Sequence, residues 1–126
     1  MSDKIIFLGT GTSTGVPVLT CECEVCRSKN MRDKRLRTSA YIESKGLRLI
    51  IDCGPDFRQQ LLNNNIKDFD AVLITHGHRD HIAGIDEIRA FNYLAGKTVD
   101  VYANKATIES IKTECPYIFN PGKYLG

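Results

Sequence analysis

The chain predicts an α/β fold, a layered unit with a mixed sheet and helices on one of its sides. Three observations carry that reading. Short β-patterned runs and helical patterns follow one another in the order β, β-hairpin, α, β, α, β, α. The run Leu49-Ile50-Ile51 is continuous and apolar, which marks a central strand. Residues 69–75 form a second apolar, β-rich run, and polar residues begin where it stops. With 126 residues the chain reads as a single domain, 1–126, able to build a modest core.

Each element follows from a local pattern. Residues 4–8 are the first strand, and a loop of glycine and small hydroxyl residues, 9–17, follows it. Residues 38–43 and 47–53 are two β-patterned runs joined by Ser44-Lys45-Gly46, which predicts a hairpin. A helix over 55–62 places Phe57, Leu61 and Leu62 on one face, and Asn63-Asn64-Asn65 ends it. The strand over 69–75 leads into a helix over 82–94. Its expected buried positions are Ile85, Ile88, Ala90 and Leu94, and Asp86, Glu87 and Arg89 form its solvated face. Gly96 stops it. Residues 98–103 are a further strand. Asn104 caps a third helix, which runs through Ile108 and Ile111 to about residue 113 before Cys115-Pro116 breaks it. The tail, 120–126, reads as loop.

Composition narrows the function classes. A formal charge of +2 is too small to argue for nucleic acid, and no apolar run is long enough to cross a membrane. The N-terminus leads into a short apolar stretch rather than a secretory signal, so a cytoplasmic protein is expected. The five cysteines do not contradict that. Three of them, Cys21, Cys23 and Cys26, have a metal spacing more than that of a disulfide framework.

All three histidines lie within His76-Gly77-His78-Arg79-Asp80-His81, at the end of the strand over 69–75. His76 and His78 are two apart, so an extended backbone puts them on the same side. Neutral imidazole and carboxylate suit zinc, iron or manganese. Four such groups can serve two ions, His76 and His78 on one, Asp80 and His81 on the other. Two metals about 3.5–4 Å apart can share an activated water and clamp a scissile ester. A polar loop with chance histidines is the plainer alternative. It accounts poorly for so dense a cluster directly after a buried strand.

Other segments carry weaker signals. Cys21, Cys23 and Cys26 can hold one structural zinc at roughly 2.3 Å per sulfur, and a closed site wants a fourth ligand. Cys53, Cys115 or a histidine of the cluster are the candidates, none favoured by spacing. Three unligated thiols are the alternative. The glycine loop can offer N–H and hydroxyl donors to a phosphate, or be a tight turn beside the metal loop. Residues 27–37 carry six basic side chains. They read as a solvated loop in preference to a basic lip for a phosphorylated substrate. Asp52 ends the central strand, and a carboxylate there needs a reason. It can accept a hydrogen bond from a metal-bound imidazole, or cap the helix that Pro55 opens. Cys53 reads as packing.

The pattern H-x-H-x-D-H after an apolar strand resembles the metallo-β-lactamase superfamily of two-metal hydrolases. Position 79, here Arg, is free in that pattern. Residues 8–17 resemble the opening of the branch that contains the phosphodiesterases of phosphonate breakdown and the tRNA 3′-end endonucleases. The resemblance implies the N-terminal half of an αββα sandwich, in which two β/α halves pack sheet against sheet. It implies two divalent ions, zinc or manganese, held by His76, His78, Asp80 and His81. Asp80 is then also the catalytic group, orienting the attacking water or taking its proton. It implies a structural zinc at Cys21, Cys23 and Cys26, completed in the family by a histidine from the C-terminal half, and it supports Asp52 behind the metal loop. The expected substrate is a small phosphodiester or nucleotide-like molecule, with RNA as a further class. The family draws a His, a bridging Asp and a final His from C-terminal positions, so these 126 residues alone are expected to be weakly active or inactive. A sheet built to face a partner sheet leaves apolar surface exposed, which suggests a homodimer through that face. The alternatives are a zinc-binding module without catalysis, or a hydrolase of thioesters, lactones or β-lactams.

Overall fold

The hydrogen-bond register of the hairpin sets the direction of every other strand. In the computed structural model, which describes residues 2–119, β2 (Ser39–Ser44) and β3 (Leu47–Ile51) pair antiparallel. Lys45 (φ 52°) and Gly46 (φ 81°) make the two-residue turn between them. Both have positive φ, the combination whose twist matches that of the flanking strands. β1 (Lys4–Gly9) pairs antiparallel with β2, while β4 (Ala71–Leu73) and β5 (Asp100–Tyr102) add in parallel beside β3. The sheet order is β1-β2-β3-β4-β5, so β3 is central as the apolar run predicts. β1, β3, β4 and β5 therefore run the same way. Their C-terminal ends gather at one edge, where ligand sites of open α/β sheets form.

One row of the sheet faces the core. Ile6, Tyr41, Ile50, Val72 and Val101 are register partners across all five strands. They meet Phe57 and Leu61 of α2 (Phe57–Asn63), Phe69, Ile82, Ile85, Ile88, and Ile111 of α5 (Lys105–Glu114). Phe69 is stacked edge-on between Phe57 and Phe91. The alternate rows face the other way. There Ile5, Phe7, Leu47 and Tyr102 are 56%, 70%, 51% and 57% exposed. The helices thus cover one side of the sheet, as expected.

Several elements differ from the sequence pattern. The helix expected over 82–94 is three pieces: α3 (Arg79–Ile82), a 3-10 turn (Ile85–Ile88) and α4 (Arg89–Ala95). The break falls at Gly84, whose N–H leaves the helix to bond the Cys53 carbonyl at 2.8 Å. Ile85 and Ile88 are buried, but the change of axis turns Ala90 and Leu94 to solvent, and Phe91 packs on the core instead. α2 starts at Phe57, two residues after Pro55, and Leu62 is exposed. Gln60 is buried in its place, with Nε2 donating to the Arg37 carbonyl at 2.7 Å. The strands expected over 69–75, 47–53 and 98–103 are shorter at their ends. Segment 21–37 is not bare loop: it holds α1 (Glu24–Arg27) and a 3-10 turn (Met31–Asp33). α5 begins where Asn104 predicts, its Oδ1 accepting from Thr107 N at 2.8 Å. A short helix, α6 (Pro116–Phe119), follows the break at Cys115. The expectation of a loop over 120–126 lies outside the described residues.

The edge away from the strand C-termini is tied by charge. Lys97 Nζ bridges Asp68 and Asp70 at 2.8 and 3.0 Å, and Arg48 adds a contact to Asp68 at 2.9 Å. The Lys97 ammonium holds the Asp68 carboxyl below its ordinary range, and the Arg48 N–H followed by Lys97 does the same for Asp70. Among the described residues no helix is long and apolar enough to cross a membrane.

Candidate metal centre

β3 ends in an abrupt turn. Asp52 takes a left-handed conformation (φ 64°), which Asp tolerates better than most residues. Its N–H bonds the Leu73 carbonyl at 2.9 Å, and its own carbonyl accepts from Ser39 Oγ at 2.9 Å. The carboxylate is 1% exposed and points beneath the histidine loop. A buried charge must be solvated by the protein, and three donors do so. Thr75 N–H reaches Oδ1 at 2.8 Å, Thr75 Oγ1 reaches Oδ2 at 2.7 Å, and His81 Nδ1 reaches Oδ2 at 2.6 Å. Asp52 therefore supports the loop and does not cap α2, whose N-cap is Asp56.

The loop brings the three imidazoles together. The rings of His76 and His78 are 4.5 Å apart between centroids, and those of His76 and His81 4.1 Å. α3 begins at Arg79, so His78 is its N-cap and Asp80 and His81 ride on its only turn. Asp80 Oδ2 lies 3.0 Å from His81 Nε2. Two N/O ligands at roughly 2.0–2.1 Å from one tetrahedral zinc are about 3.3 Å apart. The Asp80–His81 pair is close to that separation, and Asp52 on Nδ1 leaves His81 Nε2 for the ion. A carboxylate behind a ligating histidine is the usual support of such a site. The donor set thus fits a divalent ion. Convergence is pairwise: the set of three whose ligand atoms all lie within 4.8 Å of one another, among the described residues, is the cysteine trio and not the His/Asp loop.

Two glycines let α3 lie against the end of β3. A Cβ on Gly54 would fall onto the Asp80 carbonyl oxygen, and one on Gly84 onto the Gly54 carbonyl. The Cys53 N–H donates to the His81 carbonyl at 3.0 Å. The other side of the loop rests on α5. Gly77 packs against Ser110, and Arg79 pairs with Glu114 at 2.7 Å. Arg79 thus holds the loop to a helix. The sequence pattern missed Gly54, Gly84 and Thr75. Only Thr75, a hydroxyl beside His76, carried a signal that could have been read.

The sulfurs of Cys21, Cys23 and Cys26 lie within 4.8 Å of one another. Tetrahedral zinc thiolates are about 3.8 Å apart, so a small contraction would seat an ion. Two backbone donors already face sulfur, Val18 N–H to Cys26 and Cys26 N–H to Cys23, both at 3.4 Å. The second pulls the Cys23 thiol below its ordinary range. None of the candidates for a fourth ligand joins this set. Cys53 is sealed in the core, where burial pushes its thiol up, and Cys115 sits at the end of α5.

The basic segment has a structural use that neither reading of it foresaw. Arg35 Nη1 donates to Thr10 Oγ1 at 2.8 Å, Arg37 Nε to the Ser13 carbonyl at 2.7 Å, and Arg37 Nη1 to Asp56 at 3.0 Å. Backbone bonds from Gly11 to Leu36 and between Val16 and Arg35 complete the tie. These side chains hold the glycine loop at the sheet edge that carries the histidines.

The likeness to known proteins follows the same outline. A family described as a beta-lactamase superfamily domain matches residues 47–125. The chain is 46% identical over 124 residues to an octanoyltransferase of Porphyromonas gingivalis (strain ATCC BAA-308 / W83), covering 98% of this chain and 25% of that protein. A diphosphatase from the PhnP family superposes with a TM-score of 0.88 at 43% identity, covering 94% of this chain and 48% of that one. Zn2+-bound PqqB from Methylobacterium extorquens superposes with a TM-score of 0.73 at 26% identity, covering 89% and 40%. The chain therefore spans between a quarter and a half of these relatives. The matched span contains Asp52 and the whole histidine loop as well as three of the five strands, and on that ground the chain belongs to the metallo-β-lactamase superfamily.

Proposed function

We propose that the protein is a metal-dependent hydrolase of phosphodiester bonds. His76, His78, Asp80 and His81 would hold two divalent ions, and Cys21, Cys23 and Cys26 one structural zinc. The observation that carries the reading is His81 set between two carboxylates, Asp52 at 2.6 Å on Nδ1 and Asp80 at 3.0 Å on Nε2. Bound divalent ions would acidify a water and polarise an ester oxygen. The chain's own part is geometric. Asp52 fixes the His81 ring, α3 delivers Asp80 beside it, and Asp80 can orient the water or accept its proton. The glycine loop at the same edge offers amides and hydroxyls to a phosphoryl group. The name of the PhnP-family diphosphatase supports a phosphoryl substrate over carboxylic esters.

The test is hydrolysis of a chromogenic phosphodiester by the full-length protein, stripped and reloaded with zinc or manganese. His76→Ala and Asp80→Ala are each expected to lower kcat/KM by at least about 100-fold with the circular dichroism spectrum kept. Bound metal with no hydrolysis would replace the enzyme by a zinc-binding module. Turnover of a thioester or lactone alone would move the substrate class.

For the 126-residue chain by itself we propose a second copy as partner. Ile5 and Phe7 on β1, Leu47 on β3 and Tyr102 on β5 form an apolar face of the kind that two sheets bury against each other. Light scattering should give a dimer, and Phe7→Lys with Ile5→Glu should return it to monomer. A clean monomer for the unaltered chain would remove this proposal.

A further inference from the structure

Thr75 is the residue through which a buried carboxylate that touches one imidazole directly reaches a second. Its hydroxyl lies 2.7 Å from Asp52 Oδ2 and 3.0 Å from His76 Nδ1, and its N–H donates to Asp52 Oδ1 at 2.8 Å. A hydroxyl has one proton and two lone pairs, and an ionised carboxylate only accepts. The Thr75 proton therefore goes to Asp52. What remains toward His76 is a lone pair, so His76 Nδ1 must carry a proton to bond it. Asp52 Oδ2 meets His81 Nδ1 directly at 2.6 Å, with the same consequence for that ring.

We propose that Thr75 is a positioning residue that relays the Asp52 carboxylate to His76, so that His76 is held with Nδ1 protonated and Nε2 bare; His81 has its Nδ1 proton held by direct contact with Asp52, and its Nε2 faces Asp80 until an ion takes that place. Which ring nitrogen binds an ion is set by the bond the other one makes. Asp52 does this for His81 by contact, and for His76 through one hydroxyl. Asp52 and Thr75 sit at the ends of adjacent strands, so the relay is built on the sheet and is in place before any ion arrives. The use of the two Nε2 atoms rests on the metal-site reading above. The tautomers themselves do not.

The test separates the two. In metal-free full-length protein, long-range proton–nitrogen spectra of 15N-labelled histidine, at a pH where the rings are neutral, should show His76 and His81 with protonated Nδ1. Thr75→Val keeps the volume and removes the hydroxyl. His76 should then shift toward the Nε2-protonated form that free imidazole side chains prefer, while His81 keeps its pattern. Thr75→Ser should restore His76. In competition with a chromophoric chelator, zinc affinity should fall by about 10–100-fold in Thr75→Val and return in Thr75→Ser. An unchanged His76 pattern in Thr75→Val, or no rescue by Thr75→Ser, would overturn the relay. If the tautomers behave as described but the protein takes up no zinc, the metal reading fails and the relay stands.

Discussion

Replacing Asp52 with alanine is expected to lower the free energy of unfolding by about 1–3 kcal/mol, the cost of leaving the donors around a buried carboxylate without their acceptor. Three donors lose their acceptor at once: Thr75 N–H, Thr75 Oγ1 and His81 Nδ1. Thr75 is exposed and His81 only partly buried, so water reaches these donors and recovers part of the cost that a fully buried unmatched group would carry. The same change frees the His81 ring to rotate away from Asp80. Zinc affinity at the loop should therefore drop by at least about 10-fold along with stability. Asp52→Asn separates the two effects. It keeps the volume and one carbonyl acceptor, so it should lose less stability, but its amide cannot accept from every donor that faces Oδ2. Urea titration and chelator competition on the three proteins check this. An unchanged midpoint for Asp52→Ala would mean that the carboxylate is not what holds the loop.

The architecture was legible because its signals are local. Leu49-Ile50-Ile51 has no polar member, and only a strand covered by neighbours explains it; β3 is central. Ser44-Lys45-Gly46 carries its turn in its own dihedral preferences. Asn104 caps α5 with its own side chain, a contact spanning three residues. The histidine loop was legible for the same reason, since the ligand types are adjacent in the chain. What could not be read is set by tertiary approach. Leu94 fits the helical stripe of 82–94, yet it is exposed because Gly84 sends its N–H to Cys53, about thirty residues earlier. Arg35 and Arg37 look like solvated charge, and their partners, Thr10 and Ser13, lie some two dozen residues before them. Asp52 had two readings because the pattern shows a carboxylate at a strand end and not the direction it faces. Thr75 and His81 decide that, one just past the end of β4 and the other in α3.

Gly54→Ala is the second large effect, and it acts by contact rather than by chain flexibility. The new Cβ would fall onto the Asp80 carbonyl oxygen and 3.0 Å from the Asp80 carbonyl carbon. Both are backbone atoms in the first turn of α3, so no side chain can swing aside. Either α3 or the turn after β3 has to move. The Cys53 N–H bond to the His81 carbonyl and the Gly84 N–H bond to the Cys53 carbonyl cross the same contact and would be stretched with it. Overpacking of this kind costs about 1–3 kcal/mol, and a backbone-on-backbone clash belongs at the upper end. The functional loss should exceed what stability alone suggests, because the displaced residues are Asp80 and His81. Chelator competition should show zinc affinity down by at least about 10-fold at a temperature where the variant is folded. Gly96→Ala is the control. Gly96 needs positive φ (60°) but has nothing near its missing Cβ, so alanine there should cost about 1 kcal/mol and leave zinc binding alone. If Gly54→Ala bound zinc as tightly as the unaltered protein, the close approach of β3 and α3 would not be what places Asp80 beside His81.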